Sequence, residues 1–136
     1  MESVAESATK VIALDTHALL WMAFEPAKLS LKARRAIADA DRVGVSAIVF
    51  WEVALLAQRK RIDLKVAMNE WTREVLALAR FETLPVTADI AVEAATLPMH
   101  RDPADRLIVS TARQNGCPLV TRDKAIHEAR LTPVIW

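Results

Sequence analysis

Short, unbroken apolar runs alternate along this chain with longer stretches of helical period. Val11-Ile12-Ala13-Leu14 reads as a buried strand that stops at Asp15. Val43-Gly44-Val45-Ser46 reads as a second, and Thr83-Leu84-Pro85-Val86 as a third that Pro85 assigns to a sheet edge. Pro118-Leu119-Val120-Thr121 is a fourth, entered through the turn signal Asn115-Gly116, and Pro133-Val134-Ile135-Trp136 is a fifth. Runs this short and this continuous suit strands buried on both faces. Between them, residues 17–24, 30–41, 47–59, 65–80, 88–96, 103–114 and 124–129 read as helices. Ser30 is a plausible N-cap, and Val66, Trp71, Val75 and Leu78 recur at helical spacing. The alternation predicts an α/β fold: a three-layer sandwich whose central, mostly parallel sheet of about five short strands carries helices on both faces. Right-handed crossovers then gather every strand's C-terminal end on one edge, where open α/β sheets build their sites.

Length and composition narrow this further. The chain has 136 residues, which suits one domain over residues 10–136, and residues 1–9 read as a loose, polar and acidic tail. With 53% hydrophobic residues and a net charge of +1, it is neither a disordered chain nor one that binds nucleic acid by bulk charge, although a local basic patch is allowed. Its single cysteine, Cys117, excludes a disulfide framework and a multi-cysteine zinc site, and fits a cytoplasmic protein. The two glycines, Gly44 and Gly116, lie too far apart for a dinucleotide fingerprint or a phosphate loop. No stretch approaches the roughly 18 apolar residues of a membrane helix.

The carboxylates carry the candidate chemistry. Asp15 ends the first strand, Asp123 follows the fourth, and Asp105 lies in the first turn of the helix after Asp102-Pro103. Each aspartate has a structural explanation as a helix cap or first-turn acid, and Asp102 before Pro103 has the form of an N-cap. Glu52 is different, because it stands alone in Ala47-Ile48-Val49-Phe50-Trp51-Glu52-Val53-Ala54-Leu55-Leu56. Burying an unpaired carboxylate is costly, so it needs a donor, a cation or a proton. Six residues after Ser46, it stands about 9 Å along its helix from the strand end, and helical side chains lean back toward the N-terminus. An exposed seam between helices is the alternative. Four carboxylates converging on one sheet edge would repel one another unless neutralised, and hard divalent cations prefer oxygen ligands. Metal-assisted phosphodiester hydrolysis is the chemistry that suits such a site.

The sequence resembles the PIN-domain ribonucleases, and among them the VapC-type toxins of bacterial toxin–antitoxin pairs. The segments that carry the resemblance are Leu14-Asp15-Thr16-His17-Ala18-Leu19-Leu20-Trp21 and Val45-Ser46-Ala47-Ile48 running into Trp51-Glu52-Val53-Ala54. Leu84-Pro85-Val86-Thr87, His100-Arg101-Asp102-Pro103-Ala104-Asp105-Arg106-Leu107-Ile108 and Leu119-Val120-Thr121-Arg122-Asp123-Lys124-Ala125-Ile126 complete the set. The resemblance puts the family's four acidic positions on Asp15, Glu52, Asp105 and Asp123, with Asp102 an additional acid one turn before Asp105 that is either a ligand or a cap. It implies Mg2+ or Mn2+ as cofactor, an RNA substrate, a cognate antitoxin partner and homodimers, or a heterotetramer or larger with antitoxin. Ser46 and Thr121 are expected to hydrogen-bond a carboxylate, with capping as the alternative. Arg101, Arg106 and Arg122 flank the acids as candidate phosphate contacts or ordinary surface arginines. His100 is expected to be structural or to touch phosphate rather than to bind metal. Trp21, Trp51, Trp71 and Phe50 are expected to anchor the core or a partner interface, and the segment around Trp21–Phe24 to form part of a groove for an antitoxin helix. The function expected is a Mg2+- or Mn2+-dependent endoribonuclease toxin that inhibits translation and growth. The alternatives are an inactive PIN-like domain that binds RNA or protein, and a phosphoryl-accepting receiver-like domain. The latter is disfavoured because Asp15 has no second acid beside it.

Overall fold

Each apolar run becomes a strand of one sheet. In the computed structural model, which describes residues 9–100 and 102–136, the elements are β1 Val11–Leu14, α1 Thr16–Phe24, α2 Leu31–Asp39, β2 Arg42–Ser46, α3 Ala47–Gln58 and α4 Met68–Ala77. They continue with β3 Phe81–Leu84, α5 Ala88–Thr96, α6 Pro103–Gln114, β4 Leu119–Val120, α7 Lys124–Ala129 and β5 Val134–Ile135. Residues 1–8, most of the expected tail, lie outside the described residues, as does Arg101.

The strand order is β3-β2-β1-β4-β5 and all four pairings are parallel, so the sheet is wholly rather than mostly parallel. β1 is central. Leu14 stands opposite Val45 on one side and Val120 on the other. Neighbouring positions of a strand face opposite sides of a sheet, and Ile12, Ala13 and Leu14 are all buried, so helices cover both faces. Leu14, Leu19, Val43, Val45, Val49, Val53, Leu119 and Val120 form the centre of the core.

The chain runs from β1 to β2 and β3 on one flank, then returns to place β4 and β5 on the other. The order therefore reverses between β1 and β4. The crevice outside the carboxyl ends of those two strands is where an open α/β sheet binds its ligands.

Two boundaries differ from the sequence reading. The third strand is Phe81–Leu84 rather than 83–86, because Pro85 has no N–H to continue the ladder; the strand is at the edge, as Pro85 implied. The fourth helix is Met68–Ala77 rather than 65–80, because Lys65 (φ 68°) and Arg80 (φ 76°) occupy left-handed backbone conformations beyond either end. A 3-10 turn at Pro26–Lys28 was not foreseen. Among the described residues no helix is long and apolar enough to cross a membrane.

Candidate active site

Asp15 is the residue between β1 and α1. Its Oδ1 accepts the Ala18 amide at 2.8 Å, so it caps α1 while its side chain stays only 8% exposed. Asp123 does the same for α7 through the Ile126 amide at 3.0 Å, and Asp102 caps α6 through the amides of Ala104 (3.0 Å) and Asp105 (3.3 Å). Capping and a shared site are thus not alternatives here. The N-termini of α1 and α7 follow β1 and β4 and open onto the same sheet edge, and α6, which follows α5, brings its capping acid to the same cavity.

That edge is a cavity of about 520 Å3. It is lined by Asp15, Glu52, Asp102, Asp105 and Asp123, with Thr16, His17, Trp21, Trp51, Leu55, Leu56, Arg59 and Arg122 completing its walls. Glu52 reaches it from the middle of α3, where the Thr16 hydroxyl donates to Glu52 Oε1. One ligand atom from each of His100, Asp105 and Asp123 lies within 4.8 Å of the other two.

The electrostatics follow from this crowding. Burial pushes the Asp15 carboxyl above its ordinary value; hydrogen bonds from Thr121 and Ala18 oppose the rise, and the charge of Asp123 adds to it. Burial also raises Glu52 against the Thr16 hydrogen bond, with Asp102 and Asp15 adding repulsion. Asp105 is pushed up to about 7, first by burial and then by Asp102, Asp123, Glu52 and Asp15. Among the described residues no lysine or arginine forms an ion pair with any of these acids; His100 Nε2 lies 3.3 Å from Asp105 Oδ2, an ion pair only when the imidazole is protonated. A buried, mutually repelling set of oxygen donors with no lysine or arginine paired to it among the described residues fits a divalent cation.

The supporting residues divide. The Thr121 hydroxyl hydrogen-bonds Asp15 and accepts the Asp123 amide at 3.0 Å, linking two of the acids. Ser46 does not bond a carboxylate. Its buried hydroxyl caps α3 through the Ile48 amide (3.4 Å) and meets Thr111 Oγ1 at 3.3 Å, because at the C-terminus of β2 it faces α6 rather than the cavity. Arg122 lines the cavity with its guanidinium 5.8 Å from the centre of the Trp21 ring. Arg106 turns away, donating to the carbonyls of Ala94, Ala95, Met99 and His100, so it is not poised for a phosphate. Trp71 is in the core, but Trp51 is 55% exposed on the cavity wall.

Thr16, His17, Trp51 and Arg59 were missed as site residues. Trp51, Leu55 and Arg59 share an i, i+4, i+8 spacing that marks one wall of the cavity, a signal hidden by the uniformly apolar character of α3.

Comparison with known proteins bears on the family and the fold. The PIN domain model matches residues 12–131. Ribonuclease VapC22 of Mycobacterium tuberculosis is 38% identical over 121 residues, covering 88% of this chain and 92% of that protein. The crystal structure of VapBC2 from Rickettsia felis bound to a DNA fragment from their promoter superposes with a TM-score of 0.67 at 17% identity, over 91% of this chain and 96% of that one. A toxin–antitoxin complex from Klebsiella pneumoniae superposes with a TM-score of 0.64 at 22% identity, over 92% and 96%. At those identities the structures speak to the fold.

Proposed function

The chain belongs to the PIN-domain family, and on that premise we propose that it is a metal-dependent endoribonuclease, the toxin of a toxin–antitoxin pair, whose RNA cleavage inhibits translation and growth. The observation that carries this reading is the gathering of Asp15, Glu52, Asp105 and Asp123 into one cavity, crowded enough to push Asp105 up to about 7. The 38% identity to a protein named as a ribonuclease supports the same activity.

Asp15, Asp105, Asp123 and Glu52 would hold Mg2+ or Mn2+, with Asp102 close enough to add charge and engaged at Oδ1 as a cap. The chemistry a divalent ion would supply there is acidification of an attacking water and neutralisation of charge on the phosphate oxygens. The protein's own residues set up that chemistry. Thr16 fixes Glu52, Thr121 fixes Asp15, and Arg59 and Arg122 place positive charge at the rim of an otherwise acidic cavity, where a phosphodiester backbone needs it. The exposed Trp51 ring offers an apolar face for a base of the substrate.

A second groove of about 390 Å3 adjoins the cavity and shares His17, Trp21 and Leu56 with it; Leu20, Phe24 and Ile62 extend its apolar lining. It is the seat we assign to a helix of the cognate antitoxin, in a homodimer or a larger toxin–antitoxin assembly.

The test is cleavage of labelled RNA by the purified chain with Mg2+ or Mn2+, with EDTA, and with the Asp15→Asn variant. Asn keeps the α1 cap, so the variant should fold normally and cut at least about 100-fold more slowly. Undiminished cleavage in EDTA or by the variant overturns the proposal.

A further inference from the structure

One continuous stripe of α3 faces the cavity. Trp51, Glu52, Leu55, Leu56 and Arg59 all line it, at the spacing of a single helical face. Glu52 belongs to the acidic centre. Trp51 precedes it in the chain, and Arg59 ends the stripe at the C-cap of the helix, about 12 Å from Trp51 along the axis.

Neither end of this stripe is used inside the protein. The other tryptophans are packed: Trp21 meets His17, Trp136 and the Arg122 guanidinium, and Trp71 meets Phe24 and Phe50. Among the described residues the Trp51 ring has no aromatic or cationic partner, and it is 55% exposed. Arg59 is exposed and forms no ion pair among the described residues, although it shares a cavity with five carboxylates. An uncovered indole and an uncommitted guanidinium, with a candidate catalytic acid between them, suit a ligand that carries flat bases and phosphates along one strand. A docked protein helix suits them less, because Glu52 and Arg59 put charge where the core of a protein interface is apolar.

We propose that Trp51 and Arg59 form a substrate track along α3: one base stacks on Trp51 beside the reacting phosphate, and Arg59 holds a phosphate further along the same strand. The inference rests on reading the cavity as a ribonuclease site, and it names the residues that set its preference. A base inside a duplex is covered on both faces by its neighbours, whereas a base in a single strand or loop can turn a face to the ring. Every base has such a face, so the track selects unpaired RNA rather than a sequence.

The test is binding, without cleavage, of a short end-labelled single-stranded RNA of mixed sequence to the Asp15→Asn protein in Mg2+, followed by fluorescence anisotropy. Adding Trp51→Ala should weaken binding by about 5–100-fold, and Trp51→Phe, which keeps a ring, should recover most of that loss. Arg59→Gln should weaken binding and flatten the slope of log affinity against log salt by about 0.7. The same RNA annealed to its complement should bind more weakly and be indifferent to Trp51→Ala. Removing the bases one at a time should find a position whose loss weakens binding to the Asp15→Asn protein but adds nothing once Trp51 is alanine, a coupling that a merely structural tryptophan would not produce. Affinity unchanged by Trp51→Ala, or an equal loss for single strand and duplex, overturns the track. So does an effect of Trp51→Ala confined to oligomeric state, which would make the ring a protein contact. Those outcomes leave metal-dependent cleavage by the wild type standing. A wild type that cuts no RNA with Mg2+ or Mn2+ overturns the ribonuclease reading, and the track with it.

Discussion

The Thr16 hydroxyl donates to Glu52 Oε1, joining the first residue of α1 to the middle of α3. Both lie on the cavity wall, and the bond is a force that favours the charged form of Glu52 against its burial. Removing the hydroxyl while keeping the shape, by Thr16→Val, leaves the carboxylate oriented by packing alone and more easily protonated. RNA cleavage at neutral pH should fall by about 10-fold, its dependence on pH should move upward, and Thr16→Ser should restore both. A pH–rate profile that does not move would show that Glu52 needs no such donor.

Asp102 holds two roles that substitution can separate. Its Oδ1 accepts the Ala104 and Asp105 amides, while its charge raises both Asp105 and Glu52. Serine caps a helix about as well as aspartate, so Asp102→Ser should unfold within about 0.5 kcal/mol of wild type in urea. With a cap but no ligand role, cleavage should drop less than about 10-fold, against about 100-fold or more for Asp105→Asn. Equal losses would make Asp102 a ligand.

Much of this arrangement was legible because strand ends, helix caps and the cavity coincide. Asp15 and Asp123 each terminate an apolar run and open a helix, so one local signal located the strand, the helix start and the acid. Glu52 stood out because nothing around it on α3 is polar. What the sequence hid depends on which helix faces which. The Thr16–Glu52 bond requires α1 beside α3, Ser46 meets Thr111 only because β2 ends against α6, and Arg106 turns from the site because α5 leaves carbonyls within its reach. Periodicity reports which face of an element is apolar, but not the partner that covers it.

Gly44 shows the same limit in the sheet. Its backbone φ is unremarkable, yet a Cβ there would stand 2.5 Å from Leu84 Cδ1 and 2.8 Å from Leu84 Cγ, and Leu84 is a buried side chain on the neighbouring strand β3. Gly44→Ala should therefore cost about 1–3 kcal/mol in denaturant unfolding. Leu84→Ala vacates that space at its own cost, and the double variant should be more stable than the sum of the two losses predicts. Additive losses would mean that the contact is relieved elsewhere.

The raised pKa of Asp105 has a consequence for stability that is independent of RNA. Its carboxyl moves from 3.8 to about 7 on folding, so between those values the folded protein binds a proton that the unfolded chain releases. The stability this group contributes is complete below about pH 4 and is lost as pH rises through 7, the opposite of a salt-bridged carboxylate. Asp105→Asn removes both the titration and the repulsion from Asp102, Asp123, Glu52 and Asp15. In EDTA at pH 8 the variant should therefore melt above wild type, by about 3–6 °C once partial exposure is allowed for, and the gap should close on acidification to pH 4. Added Mn2+ should reverse the order at pH 8, because the ion binds the ionised wild-type cluster and stabilises it by mass action, while the variant lacks a ligand. Melting curves with no pH-dependent gap in EDTA would mean that the cluster is relaxed without the ion, and the repulsion that argues for a cation would then be absent.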